Sequence, residues 1–435
     1  MIRTVYTAGT VCLFLAACAL AAVSSASAEE RNFNPRQAVE FALLNNGELK
    51  ALREEKGIRA AGRIKAGLFP NPVLEMDGTT GELTGSRFEN TVSVGISQEF
   101  LIAGKRGKRL KVAEKEIESF DRQVDNSGRL LVEEVKTTFY ELVLAEKKVE
   151  LAKRSIALNN QLHDITKQRF EVGDIPELEV NLARVEVARS EGRMTEAERE
   201  LYPAKARLFA LMGLPSAESA TFSGTLEGNP ITQSLEELKR LALSKRPDLG
   251  ALESENAKGD AEIAVARAER IPNVTLGLGY QRQNSAIDVS GEEIKSRDNL
   301  IGLKLSIPIP IFDRNQAGVM EAKARKGGAE NRFLYARKVV ERDVESAYAR
   351  LTSADKSLAI YAKDIIPQLE ENLKLVQEAY QLGEVGILTV IEEQKKYFEV
   401  TDGYLSALYS RQAALVKLEA VVGGDLNMEI AGGEK

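Results

Sequence analysis

The sequence predicts a mainly α protein that also carries a membrane β-barrel. Two structural repeats supply long, coiled-coil-like helices and four β-strands per protomer, which contribute to a trimeric barrel of twelve strands. Three observations carry this. The stretch FEVGDIPELEV at Phe170–Val180 returns as YQLGEVGILTV at Tyr380–Val390. Heptad seams run through two stretches of more than sixty residues, Lys105–Val172 and Arg314–Leu382. Four shorter segments alternate apolar and polar residues with period two.

The first segment, residues 1–28, reads as an export signal. Arg3 gives the positive end, VCLFLAACALAAV is apolar, and SSASA ends in an A-x-A site before Glu29. The apolar run is shorter than the roughly 20 residues that a helical span needs. Both cysteines, Cys12 and Cys18, lie inside it. Cleavage after Ala28 removes them. The alternative is cleavage before Cys18, since LAAC at Leu15–Cys18 is similar to a lipoprotein site, and Cys18 then becomes a lipidation site. Beyond this segment no apolar run reaches the length of a helical span, so membrane entry requires β-strands.

Residues 29–215 form the first repeat and 235–425 the second, joined by a linker at 216–234 and followed by a tail at 426–435. ALLNNGELKAL from Ala42 matches ALSKRPDLGAL from Ala242, and ALMG at Ala210 faces AVVG at Ala420. Each repeat reads helix, two strands, very long helix, sharp turn, helix.

Strands are expected at about 72–82, 90–101, 272–283 and 298–309. Val92, Val94 and Ile96 alternate with Ser93, Gly95 and Ser97, and Val274, Leu276, Leu278 and Tyr280 alternate with Thr275, Gly277 and Gly279. About ten residues suits a tilted membrane strand. Polar connections, GELTGSRFE and QNSAIDVSGEEIKSRD, are expected to join each pair as loops. Four strands cannot close a barrel, and lipid tolerates no open edge, so the pattern argues for a homo-oligomer. Phe69, Phe100 and Phe312, with Pro70, Pro72, Pro272, Pro308 and Pro310, fall at the strand–helix junctions. Lys105, Arg106, Lys108 and Arg109 form the one basic run, expected to solvate a helix start or, second, to hold membrane phosphates.

The long helices follow. Val135, Leu142, Val149 and Ile156 stand seven apart, preceded by Leu131, Thr138, Ala145 and Ala152. Val344, Leu351, Leu358 and Ile365 repeat the pattern, preceded by Val340, Ala347, Ala354 and Tyr361. Each run would reach roughly 100 Å. Pro367 sits where the offset between the halves shifts by one residue, which predicts a local kink or bulge. The single His163 continues the Val149–Ile156 series and is expected in the seam.

A formal charge of -6 over 435 residues gives no reason to expect a nucleic-acid partner. One histidine offers no acid–base pair, triad or His zinc site. The AGKRGK stretch lacks the full spacing of a phosphate loop. No enzyme and no cofactor are expected.

The chain resembles the TolC-type outer-membrane efflux family over essentially its whole mature length, on the repeated halves and the duplicated VGD/LGE turn. GLFPNPVLE, QEFLIAGKRGKR and IPIPIFDRNQAG resemble its heavy-metal, cobalt–zinc–cadmium (CzcC-like) subgroup. The resemblance implies a homotrimer in the outer membrane of a Gram-negative bacterium, with a helical tunnel across the periplasm. It implies partners: a periplasmic adaptor (membrane fusion protein), an inner-membrane RND pump, and outer-membrane lipid. Val172, Gly173 and Asp174, with Leu382, Gly383 and Glu384, would be the adaptor-docking tips. Glu392 and Glu179 match acidic residues lining the closed entrance, with Asp174, Glu177 and Glu384 as further candidates. Thr389 stands where the second half would match Glu179, which departs from a two-ring acidic gate. The implied function is a passive duct for divalent heavy-metal cations. The alternatives are the same duct for drugs, other organic compounds or type I secretion, and a non-pore coiled-coil adaptor.

Overall fold

The computed structural model describes residues 31–215, 219–228 and 230–426. The export segment with Cys18, part of the linker and the tail after Leu426 lie outside the described residues.

A short strand β1 (Arg31–Phe33) leads into α1 (Pro35–Asn45), α2 (Gly47–Glu54) and α3 (Lys56–Gly67). Strands β2 (Val73–Thr80) and β3 (Asn90–Phe100) follow, then the 67-residue helix α4 (Lys105–Glu171) and α5 (Glu177–Met212). After β4 (Ala220–Phe222) the pattern repeats. Helices α6 (Leu235–Lys245) and α7 (Pro247–Ala268) precede β5 (Val274–Val289) and β6 (Glu292–Ser306). Helix α8 (Gln316–Ile360), a π-helical segment (Tyr361–Ile365), α9 (Ile366–Gln381) and α10 (Ile387–Val422) complete the elements of the described residues.

Matching caps start the two halves. Asn34 and Ser234 each close a capping box, with Gln37 and Glu237. At 1.5 Å per residue α4 spans roughly 100 Å. Its lower part packs on α5, and its upper part on α3 and α7. The main core lies midway along α4. Phe33, Phe139, Phe209 and Phe222 pack ring against ring there, closed by Val135, Leu142, Leu208 and Met212. From that level downward the buried seam of α4 holds Thr138, Ala145, Ala152, Asn159 and Thr166, one every heptad, joined by Ser155 and Leu162. The larger series starts buried at Val135 and Leu142 but is only half-buried at Val149, Ile156 and His163. A straight helix drifts about 20° per heptad, which turns this series off the seam. His163 is therefore beside the seam, with its side chain 29% exposed.

The expected bulge is the π-helical segment. Val135 and Val344 stand 209 positions apart, whereas Gly173 and Gly383 stand 210 apart, so the second half holds one extra residue. A π-helical turn absorbs one residue while leaving the flanking faces in phase.

The four membrane-type strands form one antiparallel sheet, in the order β2-β3-β5-β6. Register places Leu74, Ile96, Leu278 and Leu303 in one row, and Val73, Ser97, Gly277 and Lys304 in the next. One face is thus apolar and bare, with Leu303 88% exposed, while the other carries Glu75, Asp77, Ser93 and Lys304. Among the described residues no helix is long and apolar enough to cross a membrane. The second hairpin is longer than expected. What reads as a polar loop is strand up to a two-residue turn, with Ser290 at φ 59° and Gly291 at φ 95°. Two positive φ values suit a tight hairpin turn, which the S-G pair supplies. At the other end β6 stops at Ser306, short of Pro308 and Pro310, which have no N–H to donate.

The basic run divides: Arg106 and Arg109 are exposed at the helix start as expected, whereas Lys105 is not. Lys105 is only 2% exposed. Its Nζ pairs with Glu269 at 3.1 Å and donates to Asn273 Oδ1 at 2.7 Å, and Arg109 reaches the same carboxylate at 2.8 Å. Arg106 donates to the Gly67 carbonyl and Lys108 to that of Ala103. Lys105 thus joins the start of β5 to α4, while Arg106 and Arg109 join α4 to the ends of α3 and α7.

Candidate functional site at the helix-reversing turns

Both turns that reverse the long helices are built alike. Gly173 (φ 79°) and Gly383 (φ 78°) occupy the left-handed position that ends a helix. Asp174 N–H donates to the Arg169 carbonyl and Gly173 N–H to that of Phe170. In the second turn Glu384 and Gly383 donate to Ala379 and Tyr380 in the same pattern. This double hydrogen bond satisfies carbonyls that the helix end leaves free. Pro176 and Gly386 then start the returning helices.

Arg169 links the two turns. Its Nε lies 2.7 Å from Asp174 Oδ2, and a terminal nitrogen donates to the Tyr380 carbonyl at 2.9 Å. The guanidinium also lies over the Tyr380 ring, 5.0 Å from its centroid. The hydrogen bond with Asp174 raises the Arg169 pKa above its ordinary value. Tyr380 is only 2% exposed, and its hydroxyl donates to Glu179 Oε2 at 3.3 Å. Burial, followed by the Glu179 carboxylate, pushes its hydroxyl up to about 12. Leu162, Ala183, Ile387, Val390 and Ile391 pack around the ring. Two turns further along α5, Glu186 is buried between Arg189 at 3.0 Å and Lys395 of α10 at 3.2 Å.

The sequence-predicted residues divide accordingly. Asp174 and Glu179 meet at the Arg169–Tyr380 link. Val172, Leu382, Glu177 and Glu384 are exposed at the extreme end of the molecule, and Glu392 is exposed beyond the start of α10, apart from the others. Sequence reasoning missed Arg169 and Tyr380. A signal was present in the duplicated stretch: Tyr380 stands where the first half has Phe170, an added hydroxyl at an aromatic position.

At the opposite end, the polar face of the sheet carries Glu75, which accepts from Ser97 at 3.3 Å and pairs with Lys304 at 3.5 Å. Among the described residues no group of three or more His, Cys, Asp or Glu side chains is placed to hold a metal ion.

The family model for outer membrane efflux proteins matches the chain at residues 42–214 and again at 238–424. The chain is 25% identical over 386 residues to the cobalt-zinc-cadmium resistance protein CzcC of Cupriavidus metallidurans, covering 89% of each. It is 20% identical over 352 residues to the pyoverdine export outer membrane protein OpmQ of Pseudomonas putida, covering 80% of this chain and 73% of that one. A crystal structure of CusC is similar in fold, with a TM-score of 0.73 at 20% identity over 90% of this chain and 92% of that one.

Proposed function

The chain belongs to the outer membrane efflux protein family, and from that we propose that three copies close one twelve-stranded barrel above a shared helical tunnel. It is the outer-membrane channel component of an efflux system. In this reading the duct is passive and carries divalent heavy-metal cations, handed over by a periplasmic adaptor and an inner-membrane RND pump. Three sheets of four strands leave no open edge, which lipid requires. Residues 29–215 and 235–425 act as the two repeats.

The observation that supports the duct most is the sheet itself. An apolar outer face and a polar inner face with Glu75 and Lys304 are what a water-filled barrel needs. Cation preference rests on the similarity to CzcC and on rings of carboxylates that threefold symmetry would build from Glu177, Glu179, Glu384 and Glu392. The two turns, with Val172, Gly173 and Asp174 beside Leu382, Gly383 and Glu384, are the docking tips for the adaptor. No catalysis and no cofactor enter this reading, and metal choice resides in the pump. The similarity to OpmQ supports a second reading, the same duct serving organic compounds.

Growth of a deletion strain across cobalt, zinc, cadmium, nickel, copper and silver, beside dyes and antibiotics, separates the two readings. Sensitivity confined to some of the metals is the expected result. Sensitivity to organic compounds alone would remove the metal assignment and keep the duct. Native mass spectrometry of the purified protein should give three chains, and one chain would remove the shared barrel. The same spectra should show whether the mature chain starts after Ala28 or at a lipidated Cys18.

A further inference from the structure

We infer that Arg282 and Arg297 form a binding site for the phosphates of an outer-leaflet glycolipid of the lipid A type, one site per chain, on the outer face of the sheet. The inference rests on the barrel reading, since a closed barrel is what turns that face to lipid.

The strand register brings the two arginines together. Tyr280 stands opposite Ile301, Arg282 opposite Asn299 and Asn284 opposite Arg297. Alternation puts Arg282 on the face of Leu276, Leu278 and Tyr280, and Arg297 on the face of Ile301, Leu303 and Leu305. Asp298 falls on the opposite face. Arg282 and Arg297 are therefore diagonal neighbours across the pair, about 7 Å apart, and two such long side chains can reach one phosphate.

Their depth fits a lipid headgroup. Tyr280 closes the apolar band, and its hydroxyl donates to Asn299 Oδ1 at 2.7 Å, as suits an aromatic ring at a membrane interface. Arg282 lies two residues on, roughly 7 Å further along the strand. The long helices α4 and α8 attach at the other strand ends, after Phe100 and Ser306. The arginines thus lie at the end remote from the periplasmic helices, where the outer leaflet is.

Their charge is not cancelled by a neighbour. Both side chains are exposed. Arg297 Nε donates to Asn284 Oδ1 at 3.3 Å, and Asn284 is held in turn by a 2.6 Å hydrogen bond to Asn90. A neutral amide orients the guanidinium and leaves its charge in place. Lys295, one row beyond, is already engaged: it pairs with Glu293 at 3.5 Å and lies over the Phe88 ring at 3.2 Å. The planar fork of a guanidinium matches phosphate oxygens in a way that an ammonium does not.

The patch is local. The first hairpin carries Gly78, Val92, Thr80 and Asn90 in the same rows, none of them charged. At the opposite end of the face, Gln98, Leu276 and Leu305 share an uncharged row. Closing a barrel joins strand edges, so it leaves this face open to lipid.

The test is native mass spectrometry of the delipidated full-length channel in detergent, titrated with diphosphoryl lipid A, phosphatidylglycerol, phosphatidylethanolamine or inorganic phosphate. Lipid A should bind at least about tenfold more tightly than either phospholipid, and Arg282→Gln and Arg297→Gln should each weaken it about fivefold. The double variant should erase the preference, and replacing both arginines with lysine should restore only part of it. Inorganic phosphate at equal concentration should not displace the lipid. Equal binding of all three lipids, an undiminished preference in the glutamine variants, or displacement by free phosphate would overturn the site. The same spectra count chains, which separates the two readings. Three chains without the preference keep the barrel and remove the site. One chain that still prefers lipid A through the two arginines keeps the site and removes the shared barrel.

Discussion

Replacing Lys136 with methionine is expected to cost about 3 kcal/mol of stability at neutral pH, the scale of a buried ion pair that loses one partner. Lys136, on α4, reaches Glu419 at 2.7 Å and Asp425 at 3.2 Å, both at the end of α10. Glu419 is only 6% exposed. The same helix end is held by Arg129, which donates to the Ala420 carbonyl, and by Arg246, which donates to that of Val421. Without the ammonium group, methionine fills the space and the carboxylate stays buried.

The loss should depend on pH in a definite direction. Burial pushes the Glu419 carboxyl above its ordinary value of 4.5, even though Lys136 pulls it down. Removing Lys136 pushes it further up. Between the ordinary and the folded value the folded chain binds more protons than the unfolded one, so stability rises as pH falls. The variant should therefore regain stability as pH falls towards the ordinary value of 4.5, because Glu419 becomes neutral in the folded chain first. In the unaltered protein burial lowers the Lys136 value, but Glu419 and Asp425 raise it by more, to above 10.5. The pair's contribution is present below 10.5 and lost as pH rises through the folded value. Urea unfolding of the detergent-solubilised protein, followed by circular dichroism, measures both. A variant with unaltered stability, or one that weakens as pH falls, would refute the argument.

Much of the architecture was legible because it is periodic or duplicated. The heptads, the alternating strands and the double turn are all local patterns. Even the π-helical segment was visible, as a single-residue shift between Val135/Val344 and Gly173/Gly383. The upper part of the second hairpin was not. Outside lipid both faces of a strand are polar, so residues Asn284–Arg297 lose the alternation that marks a strand. The basic run misled for a different reason. Lys105 looks solvated until the fold brings Glu269 and Asn273 beside it from the other half of the chain. Glycines marked the turns of the candidate site, because a reversal needs positive φ at one residue. The Arg169–Tyr380 link joins the two halves, and no spacing along one helix announces such a contact.

That link sets the second large effect: Arg169→Ala should raise the open population of the tip by roughly thirtyfold. Three contacts disappear together: the carbonyl of Tyr380, the carboxylate of Asp174 and the face of the Tyr380 ring. The hydrogen bond and the ring contact that reach the other turn contribute about 1 kcal/mol each, for a total of about 2 kcal/mol. The half-exposed ion pair with Asp174 lies within the first turn and orients Arg169. Tyr380→Phe removes only the hydroxyl bond to Glu179 and should shift the population about fivefold. Asp174→Asn should do least, since Arg169 keeps its other two partners. Arg169→Lys should fail to restore the closed state, because one ammonium cannot serve the carboxylate, the carbonyl and the ring at once. Single-channel conductance in planar bilayers gives the order directly, and uptake of a bulky antibiotic by cells gives it in vivo. The charged tips then separate by role. Charge reversal at Asp174 disturbs the link and should open the tip. Charge reversal at Glu384, which lies outside the link, should weaken adaptor crosslinking without raising conductance. If Arg169→Ala conducts like the unaltered protein, the contacts between the two turns do not set the conductance of the tip.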